Sequence, residues 1–458
     1  MSSRRQFLKE ASLLTGGLLW ATSGFANFIS PSRKKVVIIG AGFAGLAAAY
    51  RLHKKNIDFI ILESRKRIGG RVFSHPMGPD NLVVELGAEW VGNDHKLLID
   101  MCGELGLKLE NNQFNTRAIM NGRFYESVKE IESRQWEITF DQLLKDYRAL
   151  VPGSKQKEEI DARLDRIDWW RYLVDNGCTG LDLQLRDLAD STDFGESIRM
   201  VSAFAAINEY ASTSPNSINE MDQKIKGGNL QLAKKLASFF EDKIEKGKHV
   251  VRVEQQDGVK VYCSDGTVYA GDKLICTAPA FAVTQIDWRP GLPPSMYDAL
   301  ESLQYSRINK NAVVFDRRIW DDEAFDLITD LPGHYFYHAT KNQRAETGVL
   351  VCYTIGDKAQ VMANQSAEVR NSIIAATLSE RFPCAKDHII DQTLYYWGDD
   401  KYSRGAYAIY GKGQYLSMFP AMNKGHLHTI FAGEHLSDAW GGFMEGALET
   451  GMAAADQI

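Results

Sequence analysis

The chain has 458 residues, 44% of them hydrophobic and 24% charged, the make-up of an ordinary globular protein. That composition excludes a disordered chain, a collagen-like repeat and a disulfide-dense miniprotein, and the length suffices for a large core without covalent staples. A formal charge of −6 offers no basic footprint, so nucleic acid is not an expected partner.

The N-terminus reads Ser3-Arg4-Arg5-Gln6-Phe7-Leu8-Lys9, then a moderately apolar stretch from Ala11 to Ala21 broken by Thr15, Gly16 and Gly17. Gly24-Phe25-Ala26 places small residues before a cut after Ala26. A charged head, a short apolar run and a small-residue cut site describe a signal peptide, and the adjacent arginines resemble the twin-arginine export pattern. The apolar run is too short and too glycine-broken for a membrane span. Residues 1–30 are therefore expected to be a twin-arginine signal peptide that engages the twin-arginine translocase, leaving a periplasmic or secreted protein.

Val36-Val37-Ile38-Ile39 is a continuous apolar run of the kind buried in parallel sheets. Gly40, Gly42 and Gly45 follow as G-x-G-x-x-G, then the helix-forming Leu46-Ala47-Ala48-Ala49-Tyr50-Arg51-Leu52, closed by Asn56. A second apolar strand, Phe59-Ile60-Ile61-Leu62, ends at Glu63. Strand, glycine turn, helix and strand ending in an acid form a dinucleotide-binding unit. Gly40 allows the tight turn, Gly42 the close approach to a pyrophosphate and Gly45 the helix–strand packing. The helix N-terminus offers free N–H donors to the diphosphate, and Glu63 can accept from ribose hydroxyls.

From about Leu97 to Phe240 the chain is rich in charged, helix-compatible segments, with amphipathic spacing at 203–210 and 230–240. Alternation at 250–253 and 259–262 about Asp257-Gly258 reads as a hairpin. Leu274-Ile275-Cys276 and Thr429-Ile430-Phe431-Ala432 read as buried strands, residues 308–315 and 349–353 as strands of a second sheet, and a helix runs from about Met444 to the end. Six scattered cysteines show no zinc or redox spacing; they read as buried apolar thiols, with one disulfide left open for an exported protein. The ten histidines show no triad or metal spacing, so no metal is expected. Asp168-Trp169-Trp170-Arg171 reads as core or interface packing.

Further motifs separate flavin from nicotinamide. Glu63-Ser64-Arg65-Lys66-Arg67-Ile68-Gly69-Gly70-Arg71 resembles the E-x-R-x-x-x-G-G-R segment of the flavin-containing amine oxidase family, which includes monoamine and polyamine oxidases and L-amino-acid oxidases. Glu85-Leu86-Gly87-Ala88-Glu89-Trp90 looks like that family's next glycine segment, and Lys226-Gly227-Gly228 like its K-G-G helix start. Phe431-Ala432-Gly433-Glu434 and Trp440-Gly441-Gly442-Phe443-Met444-Glu445-Gly446-Ala447 look like its C-terminal flavin signature. The resemblance spans nearly the whole chain after the signal.

It implies an α/β protein with a Rossmann-type FAD-binding domain from residues 34–110, 226–300 and 395–458. A substrate domain of mixed sheet and helices comes from 111–225 and 301–394. It places Arg65, Gly69, Gly70, Arg71, Gly87, Ala88, Glu89 and Trp90 against FAD, with Val250 along the adenine, Trp397 on the segment reaching the flavin face, Gly433 and Glu434 near the ribityl and phosphate region, and Gly442, Phe443 and Met444 at the flavin ring. Lys310 corresponds to a lysine that reaches a water beside flavin N5. Ile308, Lys310, Ala312 and Val314 are expected on one strand face. Tyr407 and Phe443 fall where the family sets a pair of aromatic rings, completed here by Trp90. Ala406 stands where some relatives carry a flavin-bonding cysteine, which implies non-covalent FAD. Trp90 also replaces the arginine with which the L-amino-acid oxidase branch holds a carboxylate; Arg404 is a candidate substitute. Glu85 and Glu89 are candidates to attract a cationic substrate.

The implied activity is FAD-dependent amine oxidation: hydride transfer from the α-carbon to N5, hydrolysis of the imine, and reduction of O2 to H2O2. The alternatives are an L-amino-acid oxidase, a flavin amine dehydrogenase using another electron acceptor, and an idle FAD-binding accessory protein. The small-molecule partners are an amine and O2, and a homodimer is compatible with the chain.

Overall fold

Val36 to Ile39 carry apolar side chains on both faces of one strand, and all four are buried, which requires a sheet covered on both sides. In the computed structural model, which describes residues 35–212 and 221–458, that strand (Lys35–Ile39) is the centre of a five-stranded parallel sheet. The order is Thr429–Phe431, Lys273–Cys276, Lys35–Ile39, Asp58–Glu63, Ile244–Lys246. The expected signal peptide lies outside the described residues.

Helix Phe43–Lys54 starts at Gly42 and covers one face of the sheet. Asn56 then takes a left-handed φ of 54°, which asparagine tolerates better than most residues. The same helix packs on the last one, Met444–Asp456, at a contact so close that a Cβ on Gly451 would lie 2.1 Å from the Ala44 carbonyl. The start and end of the described chain thus close one layer.

The hairpin of Val250–Gln256 and Gly258–Cys263 forms with Gly258 at φ 106°, in a four-stranded sheet with Val268–Gly271 and Asp287–Arg289. A seven-stranded mixed sheet has the order Ile389–Tyr396, Ile308–Phe315, Gly348–Ile355, Tyr335–His338, Phe325–Thr329, Asn115–Met120, Arg123–Tyr125. Its last two strands lie in the stretch read as helical. They are short and without clean alternation; Asn115–Met120 is held by parallel pairing with Phe325–Thr329, and Arg123–Tyr125 by antiparallel pairing with Asn115–Met120. Helix Leu230–Ala237 also stops short of Phe240, which stays buried after the helix has ended.

Helices Arg134–Arg148, Lys155–Asp165, Trp169–Asp175, Gly180–Phe194 and Ala203–Ser212 share a core containing Trp136, Leu144, Trp169, Phe194 and Ile207. Ser133, Ser154 and Asp168 cap three of them by accepting from backbone N–H groups. Trp169 is fully buried and donates Nε1–H to Asp190 at 2.6 Å, so the Asp168-Trp169 motif serves packing. All six cysteines are free, and only Cys384 is exposed. Residues 34–458 form one compact unit.

Candidate active site

A cavity of about 1480 Å³ opens where the parallel strands end, lined by Gly40, Glu63, Thr277 and Gly433 among others, the usual ligand position in such sheets. Its floor is backbone. Gly40 has φ 100°, and a Cβ there would sit 2.6 Å from Thr277 Oγ1. Gly42 bridges to Gly69 and faces the Gly70 Cα. Gly45 does not line the cavity; a Cβ on it would lie 1.9 Å from the Gly40 carbonyl, so it packs the helix onto the turn. Gly87 is pressed on Arg71 in the same way, at 2.1 Å, and Ala88 N–H donates to that carbonyl at 3.1 Å.

Glu63 is buried and accepts from Ala41 N–H at 2.8 Å and Arg65 N–H at 2.7 Å. Burial pushes its pKa up, and these two N–H groups oppose the rise. It therefore braces the turn as well as lining the cavity. Arg65 donates to Asp400 at 2.6 Å and Ser403 at 2.8 Å, and stacks 4.9 Å from the Tyr402 ring centre. Arg71 donates to Glu434 Oε1 at 2.5 Å and to the Ala406 carbonyl at 2.9 Å. Glu434 Oε2 accepts from Gly442 N–H at 2.9 Å, which sets the approach to the helix beginning at Met444.

Gly442, Phe443 and Met444 line the cavity at that helix start, where no side chain caps the first turn. Unused N–H donors and helix polarity there suit a group that becomes negative. The glycine cradle, the acid at the second strand end and two helix N-termini fit a flavin dinucleotide. Trp397 also lines the cavity and donates Nε1–H to the Leu86 carbonyl at 2.8 Å. Val250 does not: its side chain is buried in the core beneath, and His249 takes the lining position.

The other wall is made of side chains. Ile308, Ala312 and Val314 pack together on one face of their strand, and Lys310 shares it by alternation. Asn309 and Asn311 point the other way, donating to Thr354 Oγ1 at 3.1 Å and Gln392 Oε1 at 3.2 Å. Lys310 is only 3% exposed. Its ammonium donates to the Gly87 carbonyl at 2.8 Å, the Glu85 carbonyl at 3.1 Å and Glu89 Oε2 at 3.2 Å. An ammonium has three protons, so protein acceptors occupy all three. Burial lowers the Lys310 pKa and Glu89 opposes the shift.

The rings of Trp90, Tyr337 and Tyr353 surround this ammonium at 5.2, 5.6 and 5.9 Å. Tyr353 and Tyr407 hydroxyls are 3.4 Å apart, and Tyr407 donates to the Asp193 carbonyl at 2.7 Å. Phe443 lies across the same cavity, 5.3 Å from His95. Glu89 lines the cavity but is caged by Lys310 and Tyr337. Glu85 lies outside the lining, bound to Ser74 Oγ and Asn229 N–H. It is pushed up to about 7 by burial and by Glu89.

Sequence reasoning passed over Tyr337, Tyr353 and Lys224, and two acids that line the cavity, Asp193 and Glu209. Burial and then Asp190 push Asp193 up to about 7; burial, Asp193 and Asp190 push Glu209 up to about 8. The alternating Tyr335-Phe336-Tyr337 was a signal for two rings on one face; nothing in the sequence pointed to the acids.

This fold and cradle define a flavin-dependent oxidoreductase. Residues 43–458 match the family of flavin containing amine oxidoreductases, and the chain belongs to that family. It is an enzyme of the class that oxidises amine or amino-acid substrates. Among similar proteins, the L-amino-acid oxidases of Echis ocellatus and Daboia russelii are 25% and 26% identical, each over 96% of this chain and 91% of the relative. Among similar structures, a putrescine oxidase bound to putrescine has a TM-score of 0.82 at 22% identity. The cyclohexylamine oxidase from Brevibacterium oxydans IH-35A has 0.82 at 20% identity. Each covers 93% of this chain and 98% of the other.

Proposed function

We propose that the protein is an FAD-dependent oxidase of amines rather than of L-amino acids, with FAD held non-covalently and O2 as acceptor. The observation that carries the substrate choice is the cavity's arginines. Trp90 stands in the arginine position, its ring 5.2 Å from that of Tyr337. Among the described residues the lining arginines are Arg65, Arg71, Arg148 and Arg404. Arg65 and Arg71 are paired with Asp400 and Glu434. Arg148 donates to the Tyr210 and Ala211 carbonyls, and Arg404 lies over Phe281. Three of these four guanidinium groups are thus committed to protein acceptors and are poorly placed to take a carboxylate bidentately, whereas the acids Asp193 and Glu209 line the cavity and favour an amine.

Bound FAD supplies the two-electron oxidation of the amine and passes the electrons to O2, giving H2O2. The chain orients the substrate and keeps the site dry. Tyr407 and Phe443 present apolar faces to a neutral amine, and Trp90, Tyr337 and Tyr353 close the wall behind. Lys310 holds fixed positive charge there, preorganised by its three acceptors. The released imine is hydrolysed by water to a carbonyl product and an amine or ammonia. Non-covalent attachment is supported by Ala406, whose methyl lines the cavity, and by the absence of cysteine from that lining among the described residues.

The L-amino-acid oxidases among the relatives favour a second reading, with Arg404 swinging to a carboxylate. A peroxide-coupled assay across alkyl amines, diamines and L-amino acids decides between them: amines are expected to turn over, and turnover of amino acids alone would overturn the choice. Acid precipitation is expected to release the yellow chromophore, and flavin left on the polypeptide would refute non-covalent binding. Export through Arg4 and Arg5 is part of the same proposal. Replacing both by lysine is expected to retain precursor in the cytoplasm, and unchanged export would reject that route.

A further inference from the structure

Lys310 does not stand alone in its pocket. Glu89 is 1% exposed and Lys224 is 5% exposed, so three charged side chains are buried together. Glu89 Oε2 is taken by Lys310 at 3.2 Å and by the Tyr337 hydroxyl. Glu89 Oε1 has no hydrogen-bond partner among the described residues and faces the Lys224 ammonium at 3.8 Å. Lys224 is tethered from behind by the Ala339 carbonyl at 2.7 Å. Two lysines from distant strands therefore share one carboxylate.

We propose that Glu89 is the positioning residue that keeps the Lys310 ammonium charged and aimed at the cavity, and that Lys224, competing for the same carboxylate, limits how firmly that charge is held. The physical grounds are electrostatic. A buried ammonium is costly unless an anion lies against it. The two carbonyls that also hold Lys310 carry only partial charge. A second buried cation on the far side of Glu89 draws on the same anion and repels Lys310.

The other groups packed around the lysine do not replace this pair. Glu85, on the same segment as Glu89, is engaged by Ser74 and Asn229 and is itself pushed towards neutrality by burial and then by Glu89. Tyr353 and Tyr395 lie opposite Lys310 on the two adjoining strands, and the Tyr337 ring reaches it from the strand beyond, and burial pushes all three phenols up. They stay neutral while the lysine titrates. The charge at Lys310 is thus set by burial and by Glu89 first, with Glu85 supporting it and Lys224 opposing it.

The inference rests on the reading that flavin binds beside this wall, but its first test does not. In lysine-labelled holoenzyme, the Lys310 side-chain carbon resonance, recognised by its loss in Lys310→Met, is followed by NMR against pH. Glu89→Gln is expected to lower the Lys310 protonation constant at least tenfold, one pH unit. Lys224→Met is expected to raise it. Stopped-flow reoxidation of reduced flavin by O2 is then expected to lose rate at lower pH in Glu89→Gln and at higher pH in Lys224→Met.

A purely structural role for Glu89 and Lys224 would move both variants the same way, or neither, and would overturn the proposal. Should Glu89→Gln fail to load flavin, Lys224→Met decides alone: an unchanged or lowered Lys310 titration refutes it. If the resonance shifts as expected but Lys310→Met reoxidises at the parent rate, the positioning stands, and the placement of flavin, or O2 as acceptor, falls.

Discussion

The two walls of the cavity are built from different material. The cofactor side is backbone: Gly40, Gly42, Gly69, Gly70 and Gly87 press chain against chain. The opposite wall is side chain: Lys310, Trp90, Tyr353 and Tyr407 come from separate strands and loops and meet only in the fold. Backbone cannot rotate out of the way, whereas a ring or an ammonium can. The cradle should therefore fail abruptly when altered, and the wall by degrees.

Gly45→Val tests the abrupt side and carries the largest expected effect. Its first side-chain atom would lie 1.9 Å from the Gly40 carbonyl, and the strain should exceed about 3 kcal/mol. The variant should purify without flavin or not at all, as read from visible absorbance per protein; a yellow, stable Gly45→Val would break the distinction.

Arg71→Met comes next. It strands Glu434, which is 5% exposed, without its partner, a loss of about 3–5 kcal/mol. Thermal melting should show it, with Arg71→Lys in between because one fork is replaced by one point charge.

Acidity bears on the wall more than on the cradle. Glu85 and Asp326 are both buried and pushed up to about 7, chiefly by burial. Their unfolded values are near 4, so the folded state holds more protons between about pH 4 and 7 and loses stability as pH rises through that range. His95 and His435, at about 4, and His334 and His338, at about 3, are lowered by burial and act oppositely, losing stability as pH falls below about 6.5. The two slopes oppose each other between about pH 4.5 and 6.5. Above that only the acids act, and each of the two buried ones should cost about 1 kcal/mol by pH 8. Glu209 adds in the same direction. A melting temperature that rises from pH 6.5 to 8 would contradict this assignment of burial.

Trp90→Ala is the mildest. Losing its packing on Tyr337 and Tyr353 should weaken amine binding by about 1–1.5 kcal/mol, roughly tenfold in KM, with flavin content unchanged. Flavin loss in this variant would mean that wall and cradle are one mechanical unit after all.

Legibility follows the same divide. The turn at Gly40 to Gly45, the strands flanking it, the face carrying Lys310 and the helix from Met444 are all written locally, in apolar runs, alternation and glycine spacing. The strand Asn115–Met120 is not, because it gains stability from pairing with a segment some two hundred residues away. The same holds for Val250, whose strand was legible while its orientation into the core was not.

The sequence by itself determined the parallel sheet, the glycine cradle and the buried strand lysine, because each depends on neighbours in the chain. Only the tertiary structure decided that all three Lys310 protons have protein acceptors and that Glu89 is shared with Lys224. Those facts are distances between segments. Two of the Lys310 acceptors are backbone carbonyls, which every residue carries and no residue type announces.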